Sequence, residues 1–300
     1  MKKKHFHGEK KKHSYFEGWY LKHQIMGKTI AFIPAVHGDE KGQWSASLQV
    51  AVSDGVNDGS WYFTWPMESC EIAKDRFWVK IGANIFSEKG ISVNIKTETL
   101  TIEGKIAYSN FRKIKGNIMG FFQLLPFMQC NHSVLSMTHR LKGSLTVNDE
   151  VIEFTGGNGY VEKDWGQSFP KDYLWTQCGF GMKGKNSIMA AAAHIPIMGT
   201  SFRGCICAVH YEGKEYRMGT YYGAKILQYE DGGMVLRQGN KVLRIKRLGE
   251  RALNLRAPSM GAMERTIKES PICKVQYQFY RGKEQVFNLI SERASFEQVI

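Results

Sequence analysis

The chain lacks the signatures of most cofactor-dependent chemistry. No G-x-x-x-x-G-K-[ST] phosphate loop and no G-x-G-x-x-G fingerprint opening a helix occurs, and the one glycine cluster, Gly156 to Gly159, leads into a strand-like run. Nucleotide cofactors are therefore not expected. G-x-S-x-G and H-E-x-x-H are also missing, which removes the best-marked serine hydrolase and zinc protease readings. The longest apolar run, Ile188 to Gly199, is broken by His194 and Pro196. It falls short of the roughly 18 residues of a spanning helix.

Acidic residues are scarce beside basic ones, with 28 Asp and Glu against 41 Lys and Arg for a formal charge of +13. Such an excess favours polyanions, either nucleic acid or an anionic membrane surface. Much of it is local, in Lys2-Lys3-Lys4 and Lys10-Lys11-Lys12, so residues 1–13 read as a solvated basic arm. Basic and aromatic residues do not interleave in one compact RNA-binding motif, and no specific nucleic-acid partner is expected. Peripheral contact with an anionic membrane stays open. No secretory signal precedes the six cysteines, so reduced thiols and a cytoplasmic location are expected. Cys205 and Cys207 share a strand face without a second ligand pair, and His37, His139, His194 and His210 are scattered; no metal is expected.

What is present is strand-like sequence. Short runs such as Thr29 to Val36, Trp44 to Val52, Trp61 to Trp65 and Ile91 to Thr97 alternate with turn signals at Asp54-Gly55, Asn148-Asp149, Asp231-Gly232 and Gly239-Asn240. This cadence predicts an all-β, antiparallel barrel or sandwich. The exceptions are one or two short helices, chiefly the apolar stretch Ile118 to Met128, read as a plug packed on the sheet. Val275 to Phe287 reads as one strand. The organisation expected is a domain over 14–155 and a second over 156–300, with a site near their junction.

The richest stretch runs from Gly156 to Pro170. As a strand it places Tyr160, Glu162 and Asp164 on one face and Val161, Lys163 and Trp165 on the other. Near the start, Tyr15, Glu17, Trp19 and Leu21 share a face. A carboxylic acid among rings is either a solvated or internally paired surface group or, if desolvated, a proton donor with a raised pKa. A salt bridge from Lys163 to one of the acids would favour the first.

Gly156 to Pro170, together with Tyr15-Phe16-Glu17-Gly18-Trp19-Tyr20 and with Leu255 to Met263 through Glu269-Ser270, resembles the tocopherol cyclase family. The resemblance implies two lipocalin-like β-barrel halves. It also implies a cofactor-free reaction, in which the side-chain alkene of a prenylated hydroquinone is protonated and the phenol oxygen captures the tertiary cation. Plant members carry a plastid transit peptide and longer loops. Asp164 is the first choice of donor, Glu17 the second, and Glu162 a third. Trp19, Trp165 and Trp175 would wall the cation; His132, Lys163 or Gln177 would orient the phenol, with Tyr20 and Tyr160 beside them. The partner expected is a lipophilic small molecule. A non-catalytic carrier using the same cavity is the alternative, and a binder of nucleic acid or anionic membrane the third.

Overall fold

Alternation builds the molecule. In Gly90–Lys96 and Thr101–Ser109 every second residue is buried, and Ile91, Val93, Ile95, Ile102 and Ile106 turn to one core while their neighbours meet solvent. Tyr15–Ile25 is different: nearly every residue is buried, so both of its faces are covered. The computed structural model describes residues 5–54, 58–125, 128–181, 184–197, 200–249 and 252–300. Lys2, Lys3 and Lys4 of the arm, and Pro126 and Phe127 of the apolar stretch, lie outside them.

Among the described residues a 12-stranded antiparallel sheet holds β1 (Tyr15–Ile25), β2 (Lys28–Gly38), β3 (Trp44–Ser53), β4 (Gly59–Pro66), β5 (Cys70–Ile72), β6 (Trp78–Ile81), β7 (Asn84–Ser87), β8 (Gly90–Lys96), β9 (Thr101–Ser109), β10 (Cys130–Val147), β11 (Glu150–Glu153) and β12 (Asn158–Gly166). A 10-stranded sheet holds β13 (Tyr173–Phe180), β14 (Asn186–Ile197), β15 (Thr200–Tyr211), β16 (Lys214–Gly219), β17 (Lys225–Glu230), β18 (Gly233–Gln238), β19 (Lys241–Arg247), β20 (Leu253–Ser259), β21 (Ala262–Arg281) and β22 (Glu284–Val299). The two follow one plan. In each, the first strand pairs with the last, β1 with β12 and β13 with β22, and the next three strands meander outward. The strands at opposite ends of each path, β4 and β5 or β16 and β17, are joined through a single 3-10 turn, Met67–Ser69 or Thr220–Tyr222. A sheet whose edges are tied by so short a link must curl on itself, which gives the two lipocalin-like barrels expected.

Three clusters of buried residues follow. One fills the first barrel (Leu21, Phe32, Phe86, Ile106), and one the second (Leu174, Ile188, Tyr277, Phe279). The third lies between the sheets (Tyr20, Tyr160, Tyr173, Trp175, Met189). Cys205 and Cys207 belong to the second core.

Four expectations need correcting. The first sheet runs to Gly166, because Asn158–Gly166 pairs with both β1 and β10, so the sheets divide after 166 rather than at 155/156. The helix expected over Ile118 to Met128 is one 3-10 turn, Gly120–Leu124. Val275 to Phe287 is a hairpin, bent where Gly282 takes φ +64°. The basic arm, where described, is docked: His5 N–H donates to Lys74 O at 3.0 Å, and Gly8 is buried.

The three sequence blocks converge in space. The β20–β21 turn seats against the strand-end of the first sheet. Gly261 N–H donates to Gln167 O and Met260 N–H to Ser168 Oγ, each at 2.8 Å. Gly261 has φ +85°, and a Cβ there would stand 2.0 Å from Gly38 O and 2.5 Å from Tyr15 N. Gly261→Ala is therefore expected to destabilise the protein by at least about 2 kcal/mol, from left-handed strain and a backbone clash. Denaturant unfolding measures it, with Gly213→Ala, at an open turn position, as the milder control.

Candidate active site

Backbone register sets the site. Across the first sheet Tyr20 stands opposite Glu162, and His132 opposite Asp164. Across the second, Trp175 and Glu269 each stand opposite Glu297. The strands that carry them, β1, β10 and β12 on one side and β13, β21 and β22 on the other, turn these side chains into the gap between the barrels. There they border a cavity of about 190 Å³, whose remaining wall is mostly apolar and includes Met119, Phe122, Ile195, Ile206 and Met263.

Three glutamates in this gap are removed from water: Glu162 is 5% exposed, Glu269 2% and Glu297 7%. Among the described residues none forms a salt bridge with lysine or arginine; each instead receives a tyrosine hydroxyl. Tyr160 donates to Glu162 Oε2, Tyr20 to Glu269 Oε1 at 2.5 Å, and Tyr173 to Glu297 Oε1. Trp175 Nε1–H also donates to Glu162 Oε2, at 3.1 Å. His132 lies between two acids, with Nδ1 2.8 Å from Asp164 Oδ1 and Nε2 3.5 Å from Glu162 Oε2.

Burial drives the protonation states. It pushes the Glu162 carboxyl up to about 8, against the pull of His132 and the donated hydrogen bonds. Glu269 rises to about 7 for the same reason, with Tyr20 and Lys22 opposing. Glu297 is pushed well above the carboxylate range by burial and then by the charges of Glu162 and Asp164. His132 moves the other way from a simple buried histidine: burial favours its neutral form, but Asp164 and then Glu162 outweigh this and hold it at about 9. The carboxyl nearer to His132 is Asp164, at 2.8 Å. At Glu162 burial outweighs the more distant imidazole and favours the neutral acid. Its Oε2 already accepts two hydrogen bonds, whereas Oε1 has no partner among the described residues, so the proton belongs on Oε1.

The strand alternation that gathers these groups also excludes others. Glu17, Trp19, Lys163 and Trp165 lie on the opposite face of β1 and β12, toward the first barrel. Glu17 is fully buried, accepting from Tyr15 OH at 2.6 Å, His7 N–H at 2.8 Å and Gly8 N–H at 3.1 Å, with Lys163 Nζ 2.6 Å away. Burial alone would raise it, but the bonds from His7 and the Lys163 ammonium hold it below the usual carboxylate range. It is an internal ion pair and not a proton donor. Lys163 also donates to His5 O at 2.5 Å, and its ammonium stands 4.8 Å from the Trp165 ring and 5.6 Å from Trp19. His7 stacks on Trp165 with centroids 4.3 Å apart. Trp19 borders the cavity, yet its ring packs on Phe77 in the first core. Glu17, Lys163 and Trp165 anchor the N-terminal arm and are not part of the cavity wall. Gln177 is between the sheets but accepts from Lys22 Nζ at 3.3 Å. Tyr160 acts through Glu162. Sequence reasoning missed Tyr173 and Glu297, and it quoted Glu269 without a role.

His132, Glu162 and Asp164 offer ligand atoms within 4.8 Å of one another and are the group that could hold a metal ion among the described residues. In the structure His132 Nδ1 is engaged by Asp164 Oδ1 and Glu162 Oε2 by two donors, so Oε1 is the Glu162 oxygen left open to a cation. No helix among the described residues is long and apolar enough to cross a membrane.

Comparison with known proteins places the chain in a family and a fold. The tocopherol cyclase-like family pattern matches residues 85–297. The chain belongs to this family. It is similar to a probable chloroplastic tocopherol cyclase of Oryza sativa subsp. japonica, with 28% identity over 108 residues, and to the chloroplastic tocopherol cyclase of Zea mays, with 27% over 108. Each alignment covers 35% of this chain and 23% of the relative. Among solved structures, the fold is shared with a putative AttH from Nitrosomonas europaea (TM-score 0.58, 12% identity, 95% of this chain and 92% of that one). It is shared as well with CghA bound to Sch210972 (0.59, 11%, 95% and 88%) and with kievitone hydratase from Nectria haematococca (0.54, 13%, 95% and 88%). The matched family segment contains His132, Glu162, Asp164 and Glu269, and ends at Glu297.

Breaking the pair on the far face tests its structural role. Lys163→Met leaves Glu17 buried and unpaired, with an expected loss of about 3–5 kcal/mol in denaturant unfolding. Adding Glu17→Gln should recover a large part of it. Because the folded Glu17 pKa is depressed, its contribution is full above about pH 4.3. It is lost as pH falls through the folded value, so the wild-type advantage over the double variant should shrink in acid.

Proposed function

We propose that the protein is a cofactor-free cyclase or hydratase that protonates the alkene of a ring-bearing isoprenoid. The observation that carries this reading is the Glu162 carboxyl, buried without a lysine or arginine partner among the described residues at the wall of a mostly apolar cavity. In the proposed reaction, the proton on Glu162 Oε1 passes to the less substituted alkene carbon and leaves a tertiary cation and a carboxylate. His132, protonated and 3.5 Å from Glu162, stabilises that transient carboxylate. Asp164, first choice from sequence, serves as the counter-ion of His132. The faces of Trp175, Tyr20 and Tyr173 stabilise the cation by about 0.5–2 kcal/mol each.

A phenol oxygen of the same molecule then attacks the cation, and its proton returns to Glu162. The sum is an isomerisation in which no atom is gained or lost. If water attacks instead, the product is a hydrate, and the same proton return closes the cycle. Exclusion of bulk water by the apolar wall favours ring closure. The family name supports the first outcome. The name of one structural neighbour, kievitone hydratase, supports the second.

Turnover of prenylated hydroquinones in deuterated water should place deuterium on carbon. Glu162→Gln should lower kcat by about 10²- to 10⁴-fold while the fold is retained. The acid must be neutral, so the rate should be level below about pH 8 and fall tenfold per unit above it. Undiminished turnover in Glu162→Gln would overturn this assignment. A lipophilic ligand recovered unchanged from the protein, with no turnover across the panel, would favour the carrier instead.

A further inference from the structure

From Gly104 to Asn148 the chain carries no aspartate or glutamate, but it does carry Lys105, Arg112, Lys113, Lys115, Arg140 and Lys142. The middle of this stretch is the connection between β9 and β10. Its first half is basic, with Arg112, Lys113 and Lys115 exposed; its second half is apolar. Ile118, Met119 and Phe122 are buried between the sheets, and Met119 and Phe122 are part of the cavity wall. The 3-10 turn at Gly120–Leu124, with three residues per turn, sends the side chains at 121 and 124 out on one face, leaving Phe121 54% and Leu124 83% exposed. Tyr222, 61% exposed, extends the patch through Tyr221, whose ring is 6.4 Å from Phe121 and 4.5 Å from Tyr222.

The patch is held in place. Arg217 donates to Lys115 O at 2.9 Å and Asn117 O at 2.8 Å, and Tyr221 OH donates to Ile118 O at 2.5 Å. The nearby acid, Glu215, is largely buried and engaged by His210 at 3.1 Å, Arg217 at 3.6 Å and the Lys115 N–H at 3.0 Å. It does not offset the surface charge. Exposed Phe, Leu and Tyr beside three exposed bases match a lipid interface, where apolar side chains enter the acyl boundary and cations meet anionic headgroups. Leu124, the most exposed of the three, offers no stacking face to a nucleobase.

We propose that the Arg112–Leu124 connection, with Tyr222, seats the protein on an anionic bilayer and sets the Met119 and Phe122 side of the cavity against the lipid. Flotation of the full chain with vesicles of phosphatidylcholine, with and without phosphatidylglycerol, tests this without substrate. A negative result would therefore leave the proton-donor reading standing. The wild type should float with the anionic vesicles only. Phe121→Ser/Leu124→Ser and, separately, Lys113→Glu/Lys115→Glu should each weaken this at least about tenfold, with unchanged melting temperature because these side chains are exposed. Absence of flotation, wild-type binding by both variants, loss of all binding on Lys2-Lys3-Lys4→Gln, or tighter binding to a single-stranded oligonucleotide than to the vesicles at equal salt would each overturn the proposal.

Discussion

The gap between the barrels is governed by carboxyl groups taken out of water without a lysine or arginine salt bridge among the described residues. Desolvating a carboxylate costs several kcal/mol even after relaxation. Glu162, Glu269 and Glu297 meet only tyrosine hydroxyls, one indole N–H and one imidazole at hydrogen-bonding or ion-pair distance among the described residues. With Glu269 and Glu297 directly opposite across one ladder, full ionisation would also set like charges side by side. The cheaper solution is to keep protons on most of the cluster. The raised carboxyl pKa values are then a consequence of where the strands put these residues.

The other face of the same two strands shows the opposite solution. Glu17 and Lys163 are as deeply buried as Glu162, at 0% and 4% exposed, yet they stand 2.6 Å apart as an ion pair, and the Glu17 carboxyl is held below the usual range. One residue of displacement along a strand thus separates a buried ion pair from a buried carboxyl whose pKa is raised. The pair also fastens the segment His5–Gly8 over the end of the first barrel, so the polar content of that face goes into closing the fold.

This explains what could be read in advance. The alternation in Gly156–Pro170 correctly separates Glu162 and Asp164 from Lys163 and Trp165, and strand cadence correctly implies antiparallel barrels. Which face meets the other barrel is a long-range property, and local pattern does not carry it. Trp19 and Trp165, near in sequence to the acids, therefore look like cavity walls but pack inward. Glu297 has no local mark at all: it sits in an ordinary alternating run, Ser295-Phe296-Glu297, and acquires its role only by facing Trp175 and Glu269. The hairpin at Gly282 interrupts an otherwise strand-like run at the polar segment Arg281 to Gln285. The Gly120–Leu124 turn looks helical because it lies in an apolar stretch, although Phe121 and Leu124 face outward and Phe122 is buried.

The common plan of the two sheets explains why the site lies where it does. In each sheet the first and last strands lie side by side in the middle of the path, β1 with β12 and β13 with β22, and the third buried cluster packs where these two seams meet. Residues on that face of the seam strands turn away from their own barrel core and are covered by the other sheet, as Tyr20, Tyr160, Tyr173 and Trp175 are. Glu162 is on the last strand of the first barrel and Glu297 on that of the second, with Trp175 joining them by hydrogen-bonding one and standing opposite the other. Neither barrel holds the constellation alone. Glu162 and the Trp175 and Tyr173 rings are brought together only when the two seams meet, which makes the packing of the barrels against each other a condition of the proposed chemistry.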